Sequence, residues 1–87
     1  MNFLHNDLGF LNSGAVVEVS LDHAANVRLM DAGNFQSCRQ GGQHQFFGGE
    51  ARRSPIRLRV PQSGHWHVAI DLGGRAGTIR AGVRVFS

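Results

Sequence analysis

Two alternating runs meet at Pro61-Gln62-Ser63-Gly64, and they constrain the chain more than anything else in it. Upstream, Ile56, Leu58 and Val60 alternate with Arg57 and Arg59. Downstream, Trp66, Val68, Ile70 and Leu72 alternate with His65, His67, Ala69 and Asp71. A period of two puts successive side chains on opposite faces of a strand, so each run buries one row and exposes the other. The architecture is therefore β, and the exposed rows carry Arg and His.

Face parity makes a hairpin the simplest arrangement of the two runs. Directly opposed residues of a hairpin share a face, which sets Leu58 opposite Trp66 and Arg57 opposite His67. Val60 then pairs with Gly64, leaving Pro61-Gln62-Ser63 as the loop and Gly64 free to take φ > 0. This register gathers Arg57, Arg59, His65 and His67 on one polar face. If the runs instead belong to different sheets, Arg57 and His67 lie on opposite outer surfaces.

The same alternation recurs elsewhere. Ala15, Val17, Val19 and Leu21 share a face, and residues 27–31 place Val27 and Leu29 inward with Arg28 and Met30 outward. The turn Asp22–Asn26 between them suggests a second hairpin. Residues 3–11 read as a short strand or extended arm. Near the carboxyl end, beyond a turn at Gly73-Gly74-Arg75-Ala76-Gly77, Ile79, Ala81, Val83 and Val85 form the last inward row. Between 32 and 49 the alternation breaks. Residues 34–40 suit one helical turn, and Gly41-Gly42 and Gly48-Gly49 bracket a possible short strand, Gln43–Phe47. A Gly-rich connection of this kind is either functional or disordered.

Six to seven short strands predict a small antiparallel β-sandwich or partly open barrel, occupying residues 1–87 as a single domain. Its core is expected to hold Trp66, Val68, Ile70, Leu58, Val17, Val19, Leu29, Ile79 and Val83. The 87 residues leave no room for a deep buried cleft beside such a core. A lone Cys38 excludes an internal disulfide. The amino terminus has neither the basic start nor the apolar run of a signal peptide, and no segment reaches transmembrane length. A cytoplasmic protein without membrane association is the expectation.

Several segments, taken in order, carry a family likeness. They include Met1-Asn2-Phe3-Leu4-His5, Asp7-Leu8-Gly9, Val16-Val17-Glu18-Val19 and Asn26-Val27-Arg28-Leu29-Met30-Asp31. Asn34-Phe35, Gly48-Gly49, Arg53-Ser54-Pro55, Val60-Pro61, Ser63-Gly64-His65-Trp66-His67-Val68 and Ile70-Asp71 continue it. Together they resemble a family of short bacterial proteins catalogued only as a domain of unknown function. The resemblance spans nearly the whole chain, and Ser-Gly-His-Trp-His-Val is its most specific piece. It implies a compact all-β domain, sometimes fused to signalling domains of the Toll/interleukin-receptor type. It implies no activity, so it assigns no residue a role.

Candidate sites come from the exposed rows. All nine positive residues are Arg, with no Lys, and the net charge is +3. Arg57, Arg59, Arg80 and Arg84, with His65 and His67, are the candidate ligand-binding set, suited to a small carboxylate- or phosphate-bearing ligand. The competing explanation is a solvated face on which Arg meets Glu18, Asp22 and Asp71. The modest charge and missing aromatic–basic interleaving argue against nucleic acid. His65 and His67, two apart on one strand, stand about 7 Å apart at Cα, a spacing some metal sites use. Asp71 is about 13 Å from His67 along a straight strand, too far to share an ion. His44, Cys38 or Glu50, from the Gly-rich stretch and its flanks, are the candidates for a third ligand. Two donors fall short of any closed site, so no metal and no cofactor are expected. Cys38 sits in no recognisable nucleophile motif.

The expectation is thus a non-enzymatic binding module for an anionic ligand or a protein partner. The alternatives are an interaction or self-association domain in bacterial signalling or defence, and a small metalloenzyme using His65 and His67.

Overall fold

A computed structural model of the chain describes residues 4–73 and 77–86. Its strands are β1 (Leu4–Leu11), β2 (Val16–Leu21), β3 (Ala25–Asp31), β4 (Phe47–Ala51), β5 (Ile56–Arg59), β6 (Gly64–Asp71) and β7 (Ala81–Phe86). One helix, α1 (Ala32–Arg39), follows β3 directly. The strands form two antiparallel sheets, one ordered β1-β6-β3-β4 and the other β5-β2-β7. The expected turn through residues 74–76 lies outside the described residues.

Alternation placed most of the core, the exception being Val85, expected in the last inward row and 39% exposed. Val17, Val19, Val27, Leu29, Trp66, Val68 and Ile70 meet between the sheets, each at most 2% exposed. Leu58, Ile79 and Val83 pack against this cluster at its partly open margins. Trp66 also satisfies its one polar atom, because Nε1–H donates to the Gln62 carbonyl at 3.0 Å.

Both expected hairpins are absent. β5 pairs with β2, setting Leu58 opposite Val17, whereas β6 pairs with β1 and β3. Residues 60–63 therefore cross from one sheet to the other. The Val60 N–H donates to the Ala15 carbonyl and the Gly14 N–H to the Val60 carbonyl, both at 2.8 Å, which anchors the crossing. Gly64 keeps a negative φ, since the tight turn that called for the other sign does not form. β2 and β3 likewise belong to different sheets. Parity could not distinguish these arrangements. Leu58 and Trp66 face inward in a hairpin and equally across a sandwich, and the sandwich buries both rows against each other.

The Gly-rich segment differs from expectation too. Its strand begins at Phe47 and includes Gly48 and Gly49, which pair with Arg28 and Val27. Gly48 has φ +114°, and a Cβ there would lie 2.3 Å from the Val27 carbonyl oxygen, so no other residue fits this close approach. The helix is longer than one turn. Asp31 ends β3 and caps α1, its carboxylate accepting from the Asn34 N–H at 2.8 Å. A helix this short needs tertiary support, and Phe35, 3% exposed, supplies it by packing with Met30 and Ala69 on the outer face of the four-stranded sheet.

Candidate functional site

The split between β5 and β6 separates the expected Arg/His face into two surfaces. Arg57 and Arg59 lie on the outer face of the three-stranded sheet, where Glu18 stands between Arg57 and Arg84 in register. Glu18 is 8% exposed, and its carboxylate accepts from Arg57 Nε at 3.0 Å. Arg84 also lies over the Phe86 ring, 5.3 Å from its centroid. Arg80 precedes β7, and its backbone N–H donates to Asp22 at 2.9 Å. An acidic residue at the centre of this Arg set removes much of its pull on an anion, because the nearest guanidinium is already paired.

His65 and His67 occupy the outer face of the other sheet, with neighbours that spacing alone did not reveal. Directly opposed to them on β1 are Phe10 and Asp7. These two positions are three apart, an odd number, so a regular strand would point them to opposite faces. A β-bulge between Asp7 and Gly9 restores them to one face. Gly9 adopts φ +70° there, and its N–H donates to Asp7 Oδ1 at 2.9 Å. The strand is thus bent at the residue that supplies the carboxylate.

Four side chains converge as a result. Asp7 Oδ1 lies 2.6 Å from His65 Nε2, and His5 Nε2 lies 2.9 Å from His67 Nδ1. Asp7, His65 and His67 each place a ligand-type atom within 4.8 Å of the others. The rings form a continuous stack. His65 and His67 have centroids 4.9 Å apart, His67 and Phe35 4.4 Å, and Phe35 and His5 4.1 Å. Phe35 is the contribution of α1, which roofs His67 and leaves His65 open to solvent.

The electrostatics follow from this burial. Desolvation lowers the pKa of His67 below the usual imidazole value. The Asp7 carboxylate opposes that shift, and the neighbouring His5 and His65 add to it. Asp7 is held below the ordinary carboxylate range, first by the Gly9 N–H and then by the hydrogen bond with His65. A neutral, ring-stacked imidazole beside an ionised carboxylate is suited to receiving a cation or a hydrogen-bond donor.

The ligands considered from the Gly-rich stretch and its flanks stand elsewhere. His44 Nδ1 is 3.1 Å from the Gly42 carbonyl oxygen, Glu50 accepts from Arg52, and Cys38 is half-buried on α1, packed against the Met30–Phe35–Ala69 cluster. Asp71 also lies apart, accepting from Asn26, Arg28 and the Gly73 N–H. Asp7 and His5 were the residues sequence reasoning missed. Their only signal was Gly9, a residue that breaks alternation inside a strand and so marks a bulge.

Two facing antiparallel sheets without barrel closure define a small β-sandwich domain. The chain belongs to the family described as Domain of unknown function (DUF1883), whose model matches residues 1–87. No curated protein and no solved structure matches the chain. Among the described residues, no helix is long and apolar enough to cross a membrane.

Proposed function

We propose that the chain is a non-enzymatic binding module that meets its ligand on the outer face of the four-stranded sheet. The observation that carries this reading is the position of Phe10. It is 68% exposed, stands directly opposite His65, and adjoins the Asp7–His5–His67 cluster. A large exposed aromatic beside converging polar groups is the composition of a recognition surface. The Arg set of the opposite face is the weaker candidate, because Glu18 occupies its centre.

Native mass spectrometry of the untagged full chain tests the reading. The expected result is a retained adduct heavier than any single ion, lost in Phe10→Ser and in His65→Ala. Phe10 is largely exposed and His65 about half exposed, and neither belongs to the core between the sheets. A chain carrying nothing beyond a metal ion overturns the proposal.

A second reading, an interaction domain in a bacterial signalling or defence system, draws on β1. It is an edge strand of its sheet and exposes Leu4 as well as Phe10. A retained adduct with the mass of a protein, or of a second copy of this chain, favours it.

A further inference from the structure

From the geometry we infer that Asp7, His65 and His67 form a binding site for one divalent transition ion of the zinc class. The inference deepens the binding-module reading by naming what the centre of that face holds. Two imidazoles and a carboxylate are the donor set of open three-ligand zinc sites. Counting along the chain, only two donors were in reach; the bulge at Gly9 delivers the third from β1.

The distances suit such an ion. Tetrahedral ligands at about 2.0–2.1 Å from zinc stand about 3.3–3.4 Å from one another. One donor atom of each residue already lies within 4.8 Å of the others, and the exposed side chains of Asp7 and His65 have room to turn toward the buried His67. Asp7 and His65 are about half exposed, which leaves an entry path from solvent and at least one open coordination position. His67 is held in place by the Phe35 stack, and its Nδ1 is engaged by His5. That leaves Nε2 of His67 for the ion and casts His5 as the outer partner that orients a ligating imidazole.

Stability alone does not account for this arrangement. The His65–Asp7 pair is exposed, and exposed ion pairs contribute little to folding. Yet the chain commits a bulge, a Gly with φ +70° and a roofing Phe to aim these groups at one another. Such preorganisation fits a ligand that all three donors touch at once.

The test is calorimetric titration of the untagged full chain with Zn²⁺, alongside visible absorption on adding Co²⁺. One ion per chain is expected, with ligand-field bands of a low-coordinate Co²⁺ site. His65→Ala and Asp7→Ala should each weaken Zn²⁺ binding by about a hundredfold or more, while His5→Ala costs about 10–100-fold through lost orientation. His44→Ala should bind like the unaltered chain. Because Asp7 and His65 are exposed, unchanged circular dichroism and melting will show that these variants still fold. Absence of stoichiometric binding overturns the inference. So does binding unaffected by Asp7→Ala, which means an ion held adventitiously by the histidine pair. Either failure leaves the binding-module reading standing if the heavier adduct is retained, and a bound ion without any adduct separates the two in the other direction.

Discussion

Asp7 faces His67 across the β1–β6 ladder, yet its carboxylate reaches diagonally to Nε2 of His65, 2.6 Å away and 58 residues distant in sequence. One carboxylate therefore stands beside both imidazoles of the most distinctive segment. The bulge makes this reach possible, and the bulge depends on Gly9.

Gly9→Ala should destabilise the fold by about 1–2 kcal/mol, the cost of holding an L-residue in the left-handed region. No heavy atom lies within 4 Å of where the new Cβ would sit, so backbone strain and not crowding sets the cost. Urea unfolding measures it. A value near zero would mean that φ +70° is not maintained in solution.

Trp66→Ala should cost about 3–5 kcal/mol, since a fully packed indole at the centre of a small core leaves a cavity the sheets cannot close. As the only Trp, it should emit at short wavelength and resist quenching by iodide. A red-shifted, easily quenched emission would contradict its burial.

Phe35→Ala should cost about 3 kcal/mol or more and expose His67, because that ring joins α1 to the sheet and roofs the imidazole stack. Hydrogen exchange should then become fast along residues 32–39 while the strands stay protected. Equal loss of protection across the strands would show that α1 is integral to the sandwich.

Asp71 predicts an acid dependence. Burial pushes its carboxyl up, but hydrogen bonds from Asn26 and the Gly73 N–H, with the Arg28 guanidinium, outweigh burial and hold it below the usual range. Its folded pKa is thus lower than its unfolded pKa, near 3.9. The unfolded state binds the proton more readily, so the contribution is complete above about pH 4 and fades as pH falls through the folded value. Asp71→Asn should flatten the loss of stability below about pH 4 relative to the unaltered chain. Asp71→Ala should cost roughly 3 kcal/mol at neutral pH by leaving Arg28 without its partner. Parallel acid curves for the unaltered chain and Asp71→Asn would refute the assignment.

The sequence by itself determined which residues face the interior. Alternation is a local property of extended backbone, and Val17, Leu29, Trp66, Val68 and Ile70 obey it whichever strand lies beside them. Only the tertiary structure decided who the neighbours are. Pairing β5 with β2, and β6 with β1 and β3, is chosen by how two apolar rows bury each other. That choice is invisible to parity, since a hairpin and a sandwich crossing point the same side chains inward. The Arg row of β5 was legible as exposed, but its separation from the His row was not, nor was the burial of His67, Ala69 and Asp71 on the outer face of β6. The meeting of His5 and Asp7 with His65 and His67 needed both the β1–β6 ladder and the bulge at Gly9, which shifts the phase of the first strand partway along its length.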